Sequence, residues 1–471
     1  MIMLWITHGP HTQYAAALKN GMQFRHVAES WTRAQAESHI LDQLKHVLRH
    51  AQRTTPYYTR LFTKIGLQVD DGFGFSDFAR LPVLEREQLV QNEQDLFACD
   101  IDRSQCLLHE SGGTTGVPVN CWAGPEEEGW RGSGVYFYQQ LAGVTRGNKT
   151  AMLWGHHLDP VHSHSLKDRL RNFVHNERWL DCFRLSPATL GTYHREMQCW
   201  KPHYLVAYAD ALASLAHYVL EHGCAPTYPR ICCITGAEKL YPQQRLAIER
   251  AFGRVHERYG SRETGLIAFQ ASSSSTVLHV DWANLLIEPE DDSPQSAILV
   301  TKLHADAMPM IRYRIGDMAV FPTGSKPGHP TFELLDVVGR ITDRIYMPSG
   351  NWISGIELIR MMAFLEEDLQ IFNRQSPAQP TTPLRMAYVR EFMFVQRKDY
   401  SLDLYLVPTD NFGATAHRTI KATISANLPD LPLRMHFVPR VQRTASNKLR
   451  PVMTEVDMFS PRTAAVPQPM A

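Results

Sequence analysis

No charge of either sign dominates the chain: its 471 residues carry 48 lysines and arginines against 48 aspartates and glutamates. Without a net positive field, attraction of the whole surface to nucleic acid or anionic membrane is excluded as the organising function, and small-molecule chemistry is the better expectation. Long apolar runs are absent too, so nothing reads as a bilayer span. Met1 to Thr7 is apolar but shorter than a secretory core and has no basic flank. The eight cysteines form no Cys-x-x-Cys pair, which removes the common redox and zinc signatures. They are expected reduced, with Cys232 and Cys233 inside an apolar run that reads as a buried strand. Internal repeats are missing, and Ser272 to Ser275 is the one low-complexity patch, expected as a surface loop. These absences lead to an expected cytoplasmic, soluble protein with no membrane and no nucleic-acid partner. A hydrophobic share of 44% then implies a substantial core.

The hydrophobic pattern divides the chain. Ile40, Leu41, Leu44, Val47, Leu48 and Ala51 fall on one face of a helix between Thr32 and Gln52. Lys201 to Gly223 reads as a strand or turn leading into a helix. Ile231 to Thr235 is a buried strand, Tyr241-Pro242 opens a helix, and Val255 to Tyr259 is another strand. This alternation predicts an α/β core. Strands follow at Ala297 to Leu303, Met318 to Phe321 and Phe332 to Val338. Beyond Gly339 the texture becomes α+β, with a helix at Ile356 to Leu365, strands at Met386 to Gln396 and Ser401 to Val407, and a helix at Ala416 to Leu428. We therefore expect a core domain over 1–340, a small domain over 341–460 and a Pro- and Ala-rich mobile tail over 461–471.

The most telling stretch is Glu110-Ser111-Gly112-Gly113-Thr114-Thr115-Gly116-Val117-Pro118. Almost free of side-chain bulk, it offers backbone N–H groups and hydroxyls, the groups that wrap polyphosphate oxygens. No Gly-Lys-Ser/Thr follows Gly116, so it is not a Walker loop, and a tight turn is the bland alternative. Its meaning comes from the motifs downstream of it, in order: Thr235-Gly236-Ala237-Glu238, Tyr259-Gly260-Ser261-Arg262-Glu263-Thr264-Gly265, Tyr313-Arg314-Ile315-Gly316-Asp317, Gly339-Arg340-Ile341-Thr342-Asp343, and Arg443 to Arg450 around Lys448. Strand-end glycines let backbone approach a flat ring, and Tyr259 offers an aromatic face. Asp317 can accept both hydroxyls of a ribose. Glu263 is a hard oxygen ligand for Mg²⁺. Arg340 and Lys448 are cations for a carboxylate, a phosphate or a ribose.

This ordered set resembles the adenylate-forming superfamily of acyl-CoA synthetases, nonribosomal adenylation domains and firefly luciferase. Within it the chain looks most like the phenylacetate–CoA ligase branch with its capsule-biosynthesis-type relatives, and Leu205 to Leu212 resembles that branch's Gly-Tyr-Pro-Ser-x-Leu helix start. The resemblance runs from about residue 30 to 455. It implies a large N-terminal AMP-binding core of sheets packed with helices and a small swinging C-terminal α+β domain. It also implies ATP, Mg²⁺ and CoA, with a carboxylic acid activated as its acyl-adenylate and passed to CoA as a thioester. An amine or a carrier protein as acceptor stays open, as does a degenerate nucleotide-binding protein and, for assembly, a homodimer. By the same resemblance Ser111, Gly112, Gly113, Thr114, Thr115 and Gly116 would hold the β- and γ-phosphates. Gly236, Ala237 and Glu238 would line the adenine pocket with Tyr259 and Gly260, and Glu263 would take Mg²⁺. Asp317 and Arg340 would hold the ribose, Lys448 would bridge carboxylate, α-phosphate and ribose oxygen, and Gly350 would lie along the thioester-forming tunnel.

The chain departs from that pattern at several positions. Val119 and Asn120 stand where many relatives carry a lysine, Arg262 replaces a Thr or Ser, and Thr342 occupies the usual acidic or lysine hinge position. Gln270 to Ser275 fills the place of a cysteine-containing zinc loop. Arg262 either stabilises charge at the α-phosphate or faces solvent. Trp130, Tyr136, Tyr138, Trp154 and Tyr208 make the central region aromatic-rich; Tyr136 and Tyr208 are the residues we expect to line a pocket for a flat acid. His156, His157, His162 and His164 have no helical metal spacing and read as pocket lining or loop. Lys167, Arg169, Arg171 and Arg178 read as a solvated helix face or an acceptor-phosphate patch.

Overall fold

Thr32 begins the first long amphipathic helix. Its hydroxyl accepts from the Gln35 amide at 3.4 Å while the Gln35 side chain accepts from the Thr32 amide at 2.8 Å, a reciprocal cap. The helix runs Arg33–Thr54. Ile40, Leu44, Leu48 and Ala51, the face expected to be buried, are fully so. The computed structural model describes residues 12–111, 119–154, 166–182, 185, 187–340, 344–348, 352–354, 358, 361–362, 388–442 and 451–456. The chain divides into two units, Met1–Val337 and Val338–Ala471.

In the first unit β1 (Leu107–Ser111) and β2 (Val119–Ala123) form an antiparallel pair that closes with Ser111 opposite Val119. There follow β3 (Thr150–Trp154), β4 (Glu177–Asp181), β5 (Tyr204–Tyr208), β6 (Cys232–Gly236) and β7 (Val255–Ser261), parallel to one another. β8 (Gly265–Phe269) and β9 (Leu278–Val280) extend the sheet antiparallel. Then come β10 (Leu285–Pro289), β11 (Gln295–Lys302), β12 (Tyr313–Val320), β13 (Glu333–Leu334) and β14 (Asp336–Arg340). Eight strands order as β13-β9-β8-β7-β6-β5-β3-β4, and four as β10-β11-β12-β14.

The short apolar runs of β5 and β6 follow from burial on both faces of a parallel sheet. Leu205, Ala207 and Cys233 pack on one side against Leu212, Leu215 and Val219 of the helix Ala209–Glu221. Val206, Cys232 and Ile234 pack on the other against Phe137 and Tyr138 of the helix Pro125–Leu141. This is the α/β architecture expected from sequence. Tyr241 caps the helix Pro242–Phe252, with the proline in its first turn as anticipated. Two strand readings change. The run Phe332 to Val338 is two strands broken at Leu335, because β13 pairs with β9 whereas β14 joins the other sheet. The strand expected from Met318 already starts at Tyr313. Arg178 lies on β4 rather than a helix and pairs with Glu196 at 2.9 Å.

The second unit contains β15 (Arg344–Tyr346) and β16 (Trp352–Ser354), an antiparallel pair, then β17 (Val389–Gln396), β18 (Leu402–Pro408), the helix Ala414–Asn427, β19 (Leu433–Phe437) and β20 (Val452–Thr454). Its sheet orders as β19-β18-β17-β20 over a core that includes Phe394, Leu404, Ile420 and Ile424. The buried Gln396 amide brackets Tyr346, accepting from its N–H at 2.8 Å and donating to its carbonyl at 2.6 Å. The helix expected at Ile356 to Leu365 lies largely outside the described residues, as does the C-terminal tail. All eight cysteines are free thiols. Among the described residues no helix is long and apolar enough to cross a membrane.

Candidate functional site

Parallel strands end together, and the edge where β5, β6 and β7 finish is where a doubly wound sheet opens a crevice. Tyr208 at the end of β5 lies directly opposite Gly236 at the end of β6. Beyond Gly236 the chain turns through Ala237, whose φ of 66° is left-handed. For a residue with a Cβ that conformation costs about 1–2 kcal/mol, so the surrounding contacts must hold it. One holds Glu238: its Oε2 accepts from the Asp210 amide at 3.1 Å, in the first turn of the helix Ala209–Glu221. The next residue, Lys239, pins the segment further, donating to both carboxylate oxygens of Asp336 at 2.7 and 2.8 Å and to the Val337 carbonyl at 2.9 Å. The Glu238 carboxylate expected at a ring pocket thus has a structural task as well.

Tyr259 and Asp317, read from separate motifs, meet. The Tyr259 hydroxyl donates to Asp317 Oδ2 at 2.7 Å, joining β7 to β12. After Tyr259 the chain folds back at once into β8. A Cβ on Gly260 would come within 2.4 Å of the Gly265 carbonyl oxygen, so only glycine fits this hairpin. In the intervening turn the Thr264 amide donates to Ser261 Oγ at 3.1 Å.

Arg262 and Glu263 sit on this turn, held from beneath by a residue that sequence reading missed. Arg131, from the helix Pro125–Leu141, donates to the Glu263 carbonyl at 3.1 Å and to the Arg262 carbonyl at 3.0 Å. It lies in turn 3.6 Å from Glu127 and 3.3 Å from Glu128. His109 of β1 meets Glu128 at 2.6 Å, and Lys302 of β11 meets Glu127 at 2.9 Å. Every member of this network is buried. Burial alone would raise the Glu128 carboxyl, but His109 and Arg131 beside it hold it down at about 2. Burial, reinforced by Arg131, lowers His109 against the pull of Glu128. β1 leads into the Gly-rich segment, so the network ties the strand before that segment to the turn carrying Glu263.

The Glu263 side chain is 9% exposed and its Oε1 lies 3.6 Å from Arg86. Among the described residues no group of three or more His, Cys, Asp or Glu could cage an ion. Glu263 supplies one buried carboxylate beside Arg86, and Mg²⁺ is commonly held by one or two carboxylates together with substrate phosphates. Asn120, at one of the positions that lack the relatives' lysine, donates to Glu93 at 3.1 Å, and Trp122 Nε1 donates to the same carboxylate at 3.1 Å.

The aromatic residues separate into two groups. Trp130 stacks on His304, centroids 3.8 Å apart, and Tyr138, buried in the core, donates its hydroxyl to the Val280 carbonyl at 2.9 Å. Tyr208 and Trp154 face one another with centroids 4.6 Å apart, beside Cys182, Ala211 and Ala237. Tyr136, half-buried on its helix, has its hydroxyl raised by burial, with Arg146 opposing and Glu177 adding. Ser111 ends β1 opposite Val119, and Arg340 ends β14; their side chains are outside the described set. Gly112, Gly113, Thr114, Thr115, Gly116, Gly350 and Lys448 also lie outside the described residues, as do the four histidines from His156 to His164.

No family profile matches the chain. It is 23% identical over 340 residues to a phenylacetate–coenzyme A ligase of Pseudomonas putida, covering 66% of this chain and 72% of that one. It is 18% identical over 324 residues to Protein CapK of Staphylococcus aureus, covering 68% and 71%. Among solved structures it superposes on 2-hydroxyisobutyryl-CoA ligase in the postadenylation state, in complex with 2-HIB-AMP, with a TM-score of 0.66 over 91% of each chain at 18% identity. At that identity the likeness is one of fold.

Proposed function

We propose that the chain is a member of the adenylate-forming superfamily, with sequence similarity to phenylacetate–coenzyme A ligases, and that it is an ATP-dependent ligase that activates a carboxylic acid as its acyl-adenylate and passes the acyl group to CoA as a thioester. The observation that carries this reading is the meeting of Tyr259 and Asp317 at the sheet edge where Gly236 and Ala237 also emerge. One aromatic ring, one carboxylate and the backbone at the strand end suit an adenine and its ribose.

A carboxylate is already an ionised nucleophile at neutral pH, so activation asks for positioning and charge neutralisation rather than a strong base. In this reading Ser111 to Gly116 hold the β- and γ-phosphates and Asp317 with Arg340 holds the ribose. Backbone of Gly236 to Glu238 faces the ring, Tyr208 and Tyr136 contribute to the acid's pocket, and Gly350 lies along the path of the thiol. Mg²⁺, when bound, neutralises phosphate oxygens, and Glu263 is the residue that would hold it. Arg131, by fixing the carbonyls of Arg262 and Glu263 on either side of the Glu263 Cα, keeps that carboxylate in place. Arg262 adds a cation at the same turn, and Lys448 supplies the mobile cation that meets the attacking carboxylate and the α-phosphate. The acyl-adenylate is a mixed anhydride, so water has to be kept from it until the acceptor arrives.

The test is pyrophosphate release with ATP and Mg²⁺ over a panel of aryl and aliphatic acids, with hydroxylamine and then CoA as acceptor. A CoA-dependent increase supports the thioester ligase. A signal with hydroxylamine alone redirects the acceptor to an amine or carrier protein. Nucleotide binding without release from any acid rejects catalysis. Lys448→Ala is expected to abolish adenylation while transfer from preformed acyl-adenylate survives; equal loss of both half-reactions would remove that role.

A further inference from the structure

Arg258 is the residue that neither the motifs nor the proposed reaction account for. It precedes Tyr259 on β7, and consecutive strand residues point to opposite faces. Tyr259 reaches Asp317; Arg258 turns the other way, over the end of β6. Thr235 lies opposite Glu257, which sets Gly236 beside Arg258, and a Cβ on Gly236 would come within 2.9 Å of Arg258 Nε. The missing side chain is what lets the arginine lie across the strand ends. Its Cζ reaches to 5.2 Å from the centre of the Trp154 ring, which itself leans on Tyr208. Leu153 pairs with Ala207 and Tyr208 with Gly236, so Trp154, Tyr208, Gly236 and Arg258 form one row across the carboxyl ends of four parallel strands. Two aromatic rings and a cation line that row.

The cation is also unmatched. Arg25, Arg131 and Arg312, the arginines buried in this unit, each carry a carboxylate: Asp281, the Glu127–Glu128 pair and Glu288; Arg258 is partly buried. Among the described residues no hydrogen bond or ion pair reaches the Arg258 guanidinium; the Trp154 ring lies against it. Burial lowers its pKa from the usual value, with Tyr204 and Tyr208 opposing. A partly desolvated guanidinium without an anion carries part of that hydration cost, and a bound anion offsets it.

We infer that Arg258 is the specificity-determining residue of the acyl pocket and that the acid this enzyme activates carries a second anionic group, a carboxylate on a flat aromatic body. The body lies against Trp154 and Tyr208, the second carboxylate pairs with Arg258, and the first is presented for activation. This rests on the ligase reading for the reaction but not for the recognition.

The experiment uses the full-length protein, benzoic and phenylacetic acids, and their carboxy-substituted counterparts. Two quantities are measured: kcat/KM for pyrophosphate release, and calorimetric binding of each acid without ATP. For the wild type we expect a preference for the diacids of at least about 30-fold in both, the scale of a buried charge pair lost on truncation. Arg258→Met is expected to erase the preference without weakening the monoacids, and Arg258→Lys to restore part of it. Preference for monoacids in the wild type, or an equal fall for monoacids and diacids in Arg258→Met, overturns the inference; the second result would mean that the arginine serves the reacting carboxylate or the fold. Arg258-dependent diacid binding with no pyrophosphate release keeps the subsite and rejects the ligase reading. Release without Arg258 dependence does the reverse.

Discussion

Arg131 and Arg258 belong to the same unit, the first buried and the second partly buried, and they are built in opposite ways. Arg131 is enclosed by Glu127 and Glu128 and spends its donors on the carbonyls of Arg262 and Glu263. Arg258 touches an aromatic face and, among the described residues, no acceptor. A cation with its full set of partners holds a turn in place. One without partners is poised for something that arrives from outside. The first kind of region should answer to mutation through stability, the second through selectivity.

The sharpest way to break this contrast is to truncate each arginine to methionine. Arg131→Met takes one cation from two buried glutamates, leaving Lys302 to Glu127 and His109 to Glu128, and should cost about 3–5 kcal/mol in urea unfolding. Arg258→Met removes an uncompensated charge and keeps an apolar stem, so its unfolding free energy should stay within about 1 kcal/mol of the parent. Similar losses in the two variants would mean that Arg258 is structural as well.

Acid should test the matched region through Glu128 and the core beside it through His304. The Glu128 carboxyl is held at about 2 against an ordinary 4.5, so its contribution is complete above pH 4.5 and fades as the pH falls towards 2. At 1.4 kcal/mol per unit this is roughly 3 kcal/mol, and Glu128→Gln should flatten that part of the pH–stability curve. His304, stacked on Trp130 with Nε2 bonded to the Ala283 carbonyl, is pushed down to about 3, burial being the main cause. Its depressed value acts with the same sign from pH 6.5 downward, so acid destabilisation should begin near pH 6 and His304→Phe should delay it. Thermal melts from pH 7 to 3 separate the two.

Tyr259 is the intermediate case, paired yet at the crevice, and should show the smallest effect. Tyr259→Phe removes one hydrogen bond to the Asp317 carboxylate. We expect KM for ATP to rise about tenfold, with kcat within threefold and stability nearly unchanged. A loss confined to stability would place this bond with the Arg131 network.

Local signals in the sequence were enough for much of the fold. β5 and β6 could be read because burial on both faces leaves short unbroken apolar runs, and the helix after Thr32 because burial on one face leaves a stripe. The division of Phe332 to Val338 between two sheets could not be read, since periodicity is blind to a change of partner. Tyr313 to Val320 was underestimated because Gly316 and Asp317 break the apolar alternation that Tyr313, Arg314 and Ile315 begin; Arg314 is accommodated by Glu85 and Glu290, both remote in sequence. In the candidate site, Tyr259, Asp317 and Glu263 could be picked out because each belongs to a short glycine-containing motif. Arg131 could not: Glu126-Glu127-Glu128 reads as the acidic, solvated start of a helix, and its burial depends on His109 and Lys302 far along the chain. One sign was available. Glycines inside a helix cost about 1 kcal/mol each, and Gly129, Gly132 and Gly134 interrupt this one. At Gly129 a Cβ would come within 2.5 Å of the Ala17 Cβ on the helix Thr12–Ala28, so the small residues mark a close helix crossing.

The gap at Gly236 has a consequence on the scale of lineages. Because Arg258 occupies space that a side chain at position 236 would need, the two positions are coupled sterically. A descendant could exchange the arginine for a neutral or acidic residue, or narrow the row with an alanine at Gly236, and take up a different acid without rebuilding the turn that carries Glu263. The Arg131 cluster has no such liberty: changing one of its charges strands another, so its members can only be replaced together. Innovation in this molecule has an inexpensive address at the ends of β6 and β7, set beside machinery that single substitutions would damage.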